Sequence, residues 1–150
     1  TYRTGWDPAI VNMLAVVEEC FWWGLYDRDP LPGWTEGRLA LLGDAAHPML
    51  PHLGQGANQA IEDGAALGGL LAGRGAAEVP RVLAAYEALR RPRATTVQEG
   101  ARQNGRRYDS QYASISQRDE EIRASVAFRS WLYDYDVEQE VRKVRSGAAA

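Results

Sequence analysis

The spacing of hydrophobic positions changes along the chain, from helical in some segments to strand-like in others. Over residues 7–19, Ile10, Leu14 and Val17 recur at helical spacing and predict a helix. Residues 20–26 place aromatic and apolar side chains alternately on two faces, which predicts a strand. The mixture of the two patterns indicates an α/β fold.

The clearest strand pattern, over residues 38–44, predicts a second strand. It is apolar on both faces, which is typical of a strand buried in the middle of a parallel sheet. A loop rich in proline, histidine and glycine follows over residues 45–56. Three helices are then predicted, over residues 57–71, over residues 80–107 with a kink at Pro92, and over residues 119–133.

A strand buried on both faces needs neighbouring strands, and these 150 residues supply at most one or two. We therefore expect the chain to be the C-terminal part of a larger protein. Its 45% hydrophobic content suffices for a core, while its net charge of −3 disfavours a nucleic-acid partner. No segment is long and apolar enough for a membrane span, and the lone Cys20 fits a cytoplasmic location.

The segment that follows the apolar strand has the residues of a ligand site. Asp44 stands at the carboxyl end of the predicted strand, where ligands bind in open α/β sheets, and can accept hydrogen bonds from ligand hydroxyls. The helix beginning near Gly56 offers unpaired N–H groups and a partial positive charge. Gly54 and Gly56 lack the Cβ atoms that would keep a ligand away. A ligand with hydroxyls at one end and an electron-rich or anionic edge at the other is favoured.

The next helix has Ala60, Gly64 and Gly68 spaced four apart, in one smooth stripe. Because each helical glycine costs about 0.8–1 kcal/mol relative to alanine, we expect a close-packed neighbour along this stripe. The strand over residues 38–43 is the natural candidate. Gly64→Leu is then expected to be destabilising.

Several common motifs are absent, and other polar residues have ordinary structural interpretations. The segment 54–59 has glutamine where a dinucleotide fingerprint has its third glycine, and no P-loop or nucleophile elbow occurs. No metal site and no catalytic side chain is assigned. His47 and His52 are expected to be structural. Glu62 and Asp63 are expected to form a salt bridge to a segment outside the chain. A solvated helix face is expected for Arg90, Arg91 and Arg93.

Residues 43–63 resemble the second flavin-binding motif of the FAD-dependent aromatic hydroxylases, in the salicylate-hydroxylase-like branch of the group A flavoprotein monooxygenases. Residues 25–34 before the motif are similar to that branch as well. So are three short segments after it, Tyr86-Glu87, Arg91-Pro92-Arg93 and Val97-Gln98. The likeness covers roughly residues 20–135.

The resemblance implies an FAD site. Asp44 would bind the ribityl hydroxyls, and Pro51 would lie beside the flavin ring at the substrate side. Helix N-terminal amides would face the flavin N1–C2=O edge, which becomes negative when the flavin is reduced. The predicted cofactor-binding residues are Asp44, Pro51, Gly54, Gln55, Gly56, Ala57 and Asn58.

The resemblance also implies a fold and a division of the chain. The fold is the C-terminal part of a Rossmann-like FAD-binding domain, with a buried strand, loop and helix. Residues 1–36 would end a substrate-binding domain, residues 37–75 would form the FAD-binding strand–loop–helix segment, and residues 76–150 would form a C-terminal helical region. The family's N-terminal G-x-G-x-x-G motif, which holds the ADP half of FAD, would belong to a missing N-terminal segment of the same enzyme.

The implied function is an FAD- and NAD(P)H-dependent monooxygenase that hydroxylates a small aromatic substrate with O2, by way of a flavin hydroperoxide. Two alternatives stay open. The chain could be a non-catalytic remnant with weak or no FAD binding. It could instead come from another FAD oxidoreductase of the superfamily, such as a dehydrogenase, a reductase or a halogenase.

We predict that a polypeptide of these 150 residues alone does not retain FAD through purification. Its sequence lacks the fingerprint that binds the ADP half, which should contribute much of the affinity for the cofactor. Absorbance of the purified protein checks this. A yellow preparation with near-stoichiometric FAD would contradict the prediction.

Overall fold

The computed structural model describes residues 5–109 and 114–147, which are mainly helical. The α-helices of these residues are α1 (Pro8–Ala15), α2 (Gly56–Leu71), α3 (Val79–Tyr108), α4 (Ile115–Tyr133) and α5 (Val137–Ser146). The strands are β1 (Thr35–Glu36) and β2 (Leu39–Ala40), and short 3-10 turns cover Gly43–Ala45, Pro51–Leu53 and Ala76–Glu78. No helix within the described residues is long and apolar enough to cross a membrane.

The sequence pattern predicts the central helices well. Helix α2 begins one residue before the predicted start, and α3 runs as a single helix through Pro92. Helix α1 ends at Ala15, four residues short of the prediction, and α4 begins earlier than predicted because Ser114 caps it by accepting from the Gln117 N–H. Helix α5 was not predicted, although Asp136 caps its start and Gly147 (φ +73°) ends it.

The strands are much shorter than the pattern predicts. Of residues 38–44 only Leu39–Ala40 are strand, and they pair antiparallel with β1 across a turn at Gly37 (φ +59°). The prediction of a strand over residues 20–26 is wrong in this structure. In the described part of the chain no segment pairs with residues 20–26, and the Trp22 side chain is 98% exposed.

The hydrophobic core lies where α2, α3 and α5 meet. Ala66 and Leu70 of α2 pack with Tyr86 of α3 and Val141 of α5, all of them buried. Trp34, just before β1, closes one side of this core with its ring 6.1 Å from that of Tyr86. Burying these large side chains is the main source of stability for this part of the chain.

An ion cluster joins α2 to α3. Arg90 is fully buried and donates to Asp63 (Nε to Oδ1, 2.9 Å) and to Glu62 (Nη1 to Oε2, 2.6 Å). Its Nη2 donates to the side chain of Gln59 at 2.9 Å. Arg93 adds two hydrogen bonds to Glu62, of 2.8 and 3.0 Å. The interpretation as a solvated face is therefore wrong for Arg90 and Arg93, whereas the Arg91 side chain is 39% exposed. Both acidic residues find their partners within the chain rather than in a segment outside it.

Among the described residues, the stripe of small residues on α2 meets another segment closely at its first position only. A Cβ on Gly43 would lie 3.3 Å from the Ala60 Cβ, so the loop approaches closely there. A Cβ on Gly64 or Gly68 would meet no atom of the described residues within 4 Å. The close approach falls instead at Gly69, where a Cβ would lie 2.9 Å from the Val141 Cγ1 of α5.

Leucine substitutions at two glycines of α2 are therefore expected to shift the melting temperature in opposite directions. Gly69→Leu should destabilise by about 1–3 kcal/mol, because its side chain overpacks the contact with Val141. Gly64→Leu should instead stabilise by up to about 1 kcal/mol, through helix propensity alone. Thermal melts of the two variants check the signs, and a lower melting temperature for Gly64→Leu would restore the expectation of a neighbour packed on the stripe.

Arg90→Leu should destabilise by about 3–5 kcal/mol, since it leaves the Asp63 carboxylate buried without its countercharge. The control is Arg81→Leu on the same helix, where the arginine is 77% exposed and the loss should stay below about 0.5 kcal/mol. Urea unfolding measures both changes. Equal losses would show that the buried cluster contributes no more than a surface ion pair.

Candidate functional site

Asp44 lies in a tight turn that follows β2. Gly43 has a left-handed backbone (φ +57°) and begins the 3-10 turn Gly43–Ala45. The Asp44 side chain is exposed, and no group among the described residues donates a hydrogen bond to its carboxylate. The carboxylate is therefore free to accept hydrogen bonds from a ligand.

The start of α2 lies beside this carboxylate. The Asp44 Oδ1 is 4.0 Å from the position that a Cβ on Gly56 would occupy. The helix has no side-chain cap, and the N–H groups of Gly56, Ala57 and Asn58 have no acceptor in the described part of the chain. Ala57 and Asn58 are exposed residues. An acceptor and a set of donors thus stand next to each other on one surface.

The loop between these two features is shaped by its own turns. Pro51 begins a 3-10 turn and is exposed, and Gly54 ends that turn with a left-handed backbone (φ +62°). Gln55 is the residue before α2, and the whole residue is only 5% exposed. Gln55 therefore offers a ligand little accessible surface.

Helix α3 holds the loop in place through two amide side chains. Gln98 donates to the Pro48 carbonyl at 2.8 Å, and Asn104 donates to the His52 carbonyl at 2.7 Å. Gly105 allows the His52 ring to approach the helix, since a Cβ there would lie 2.5 Å from that ring. The loop therefore rests on a long helix, which limits its freedom to move.

A buried carboxylate fixes the turn that carries Asp44. Asp63 is fully buried, and its Oδ2 accepts from the Gly43 N–H at 3.0 Å and pairs with the His47 Nε2 at 2.6 Å. Burial alone would raise the pKa of Asp63, but the hydrogen bonds from His47, Gly43 and Arg90 together lower it below the usual value. The carboxylate therefore stays ionised at neutral pH.

The expectation that His47 is structural agrees with its position. It is 1% exposed, its ring lies 5.2 Å from that of Trp34, and its Nδ1 is buried without a partner in the described residues. No pattern in the sequence links His47 to Asp63. The two are 16 residues apart across a loop, so neither helical nor strand spacing could connect them.

The structure thus brings Asp44 and the start of α2 together on one surface. The carboxylate of Asp44 and the amides that begin α2 are adjacent, and Pro51 lies on the exposed loop before them. Such a surface can bind a ligand with several hydroxyls and an electron-rich edge. Among the described residues no group of three or more acidic, histidine or cysteine side chains could hold a metal ion.

Comparison with known proteins identifies the family. The sequence profile of the FAD binding domain matches residues 23–101, more than half of the chain. The chain is 48% identical over 101 residues to 6-hydroxynicotinate 3-monooxygenase of Pseudomonas fluorescens, covering 67% of the chain and 26% of that protein. It is 35% identical over 145 residues to salicylate hydroxylase of Pseudomonas putida, covering 95% of the chain and 33% of that protein.

Comparison with a solved structure points to the same family. A salicylate hydroxylase in complex with its substrate matches 80% of the chain and 30% of its own length, with a TM-score of 0.71 and 39% sequence identity. This match confirms the α/β fold class as part of an FAD-binding domain. The chain spans about a third of the length of the curated relatives it matches. It belongs to the family of FAD binding domains found in salicylate hydroxylase and related FAD-dependent aromatic monooxygenases.

Proposed function

We propose that this chain supplies the part of an FAD site that binds the ribityl chain and the flavin ring. The enzyme containing it would be a monooxygenase that uses NAD(P)H as reductant and hydroxylates a small aromatic substrate with O2. When bound, FAD supplies the redox and oxygen-transfer chemistry. The residues of this chain bind the cofactor, orient it and stabilise its charge.

The adjacency of Asp44 and the start of α2 is the observation that carries this proposal. An unpaired carboxylate is suited to the hydroxyls of a ribityl chain, and three unpaired amides are suited to the electron-rich edge of a flavin ring. Both groups are exposed on the same surface, so one extended ligand can contact them together. The donor and acceptor set therefore fits FAD.

The amides of α2 have an electrostatic role in this proposal. Reduction makes the N1–C2=O edge of a flavin negative, and a helix N-terminus stabilises a nearby negative charge by about 0.3–1 kcal/mol at an exposed site. The first turn of α2 has no acidic side chain that would cancel this effect. Gly56, Ala57 and Asn58 would then favour the reduced form of the cofactor.

Pro51 and the turn that it begins would contact the flavin ring from the substrate side. Its side chain is exposed, and the neighbouring His52 carbonyl is held by Asn104. A proline in a turn fixed by hydrogen bonds presents a rigid apolar surface. Such a surface would orient the ring and keep water away from one side of it.

The names of the relatives favour the monooxygenase over the other reactions of the superfamily. The two curated relatives described above are named for the oxygenation of 6-hydroxynicotinate and salicylate. Three others, all from Streptomyces, are named 3-amino-4-hydroxybenzoate 2-monooxygenases. All these substrates are small aromatic rings. A dehydrogenase, reductase or halogenase reaction receives no such support.

The division of the chain into segments is part of the proposal. Residues 1–36 would end the substrate-binding domain, residues 37–75 would bind FAD, and residues 76–150 would form the helical region that supports the site. The exposed aromatic rings of Phe21, Trp22 and Trp23 support the first assignment, because such rings are usually covered by other parts of a protein. The ADP half of FAD would be held by a segment of the same enzyme outside these 150 residues. We place the enzyme in the cytoplasm, where NAD(P)H is supplied.

In the protein that contains this chain, expressed at its full length, Asp44→Ala should weaken FAD binding by about 1–3 kcal/mol. This is the range for leaving a buried polar partner, here the ribityl hydroxyls, without its hydrogen bonds. The quenching of flavin fluorescence on binding measures the affinity. Glu36→Ala is the control, because it removes an exposed carboxylate of β1 that is not part of the site.

Equal FAD affinity in the wild type and in Asp44→Ala would remove Asp44 from the site. A full-length wild-type protein that does not bind FAD at all would contradict the proposed function as a whole. Weaker FAD binding in both Asp44→Ala and Glu36→Ala would indicate that the loss of any negative charge lowers the affinity, without a specific role for Asp44.

A further inference from the structure

We propose that Asp63, together with His47, is a positioning residue that sets the Asp44 carboxylate against the N-terminus of α2. The inference rests on the function proposed above and extends it to two buried residues that lie outside the predicted site. Neither needs to touch the cofactor. They would act on FAD binding only through the turn that carries Asp44.

The first support is that Asp63 accepts hydrogen bonds from residues on both sides of Asp44. Its Oδ2 is shared by the Gly43 N–H and the His47 Nε2, which come one residue before and three residues after Asp44. The backbone closes the same turn, since the His47 N–H donates to the Gly43 carbonyl at 2.8 Å. One buried carboxylate oxygen therefore ties together both ends of the segment that presents Asp44.

The second support is that α2 carries both the anchor and the ligand-binding amides. Asp63 lies about two turns after Gly56 on the same helix, so the turn is fixed relative to those amides by a rigid element. The approach of Gly43 to Ala60 adds a second contact between the turn and α2. The distance between the Asp44 carboxylate and the helix start is thus set by α2 itself.

The third support is that Asp63 cannot easily move. The Nε of Arg90 holds its other oxygen at 2.9 Å, and Arg90 is fixed in turn by Glu62 and Gln59. Asp63, His47 and Arg90 are each no more than 1% exposed, so water cannot replace a lost partner. The carboxylate of Asp63 is therefore held in one position, and it fixes the positions of Gly43 and His47 in the turn.

Asparagine at position 63 tests the inference without changing the size of the side chain. The partners of Asp63 include the N–H of Gly43, the His47 Nε2 and the Nε of Arg90, whereas an amide accepts on one side only. Whichever way the amide of the Asp63→Asn variant is oriented, its NH2 group therefore faces one of these donors, and one hydrogen bond of the wild type is lost. The matched control is Glu62→Gln, which makes the same chemical change within the cluster but contacts neither Gly43 nor His47.

The experiment is a double-mutant cycle on the full-length FAD-binding protein, with the FAD dissociation constant and the melting temperature measured for each variant. If Asp63 acts through Asp44, Asp63→Asn should weaken FAD binding about tenfold in the wild type and less than about twofold in the Asp44→Ala background. Glu62→Gln should change the affinity less than about threefold in either background, for a comparable loss in melting temperature.

Equal losses of affinity in the two backgrounds would overturn the positioning role while leaving the proposed FAD site intact. So would equal losses for Asp63→Asn and Glu62→Gln at the same melting temperature. An Asp44→Ala variant that binds FAD normally would overturn the positioning role and would also remove Asp44 from the proposed FAD site.

If Asp63→Asn does not fold, His47→Leu replaces it in the cycle, with the same expected loss and the same contradicting result. His47→Gln is then the conservative variant, since its amide can still donate to Asp63. It should restore most of the affinity, and a failure to do so would also contradict the role.

Discussion

The buried carboxylate of Asp63 is the constraint on which this part of the structure depends. It is fully buried beside a buried arginine, and such a pair is tolerated only when every polar atom has a partner. Its three hydrogen bonds come from the turn after β2, from the loop at His47 and from α3. Satisfying one charge thus ties the turn around Asp44 to α2 and α3, which are distant from it in the sequence. The cost of burying the ions is offset only if those segments keep their relative positions.

Helix α3 extends this constraint along its length. Near its start, Glu87 accepts hydrogen bonds from the N–H groups of Trp34 and Thr35, which holds β1. Further along, Gln98 and Asn104 hold the loop that leads to α2. A single helix of 30 residues therefore supports the hairpin, the loop and α2 together. Displacing it would alter the site without any change in the residues that form the site.

The sequence predicts the local features well and the long-range ones poorly. Helix α2 and the surface at Asp44 depend on neighbouring residues, so their spacing and glycines are enough to predict them. Arg90 meets Asp63 across 27 residues, and no periodic pattern marks that pairing. Residues 20–26 have the alternation of a strand, yet a strand needs a partner that local pattern does not specify. The stripe at Gly64 was interpreted from propensity alone, although tertiary contact decides which glycine is packed.

The contacts that hold the loop have a consequence for how such a site can diversify. Gln98 and Asn104 bind the carbonyl oxygens of Pro48 and His52, and Tyr86 donates to the carbonyl of Leu41. Main-chain carbonyls are present whatever the side chain, so these contacts do not depend on the loop's side chains, whereas His47 is held through its ring by Asp63. Related chains could therefore exchange many loop side chains while the loop keeps its path. Substitutions should be tolerated better at such loop positions than at the anchoring residues of α3.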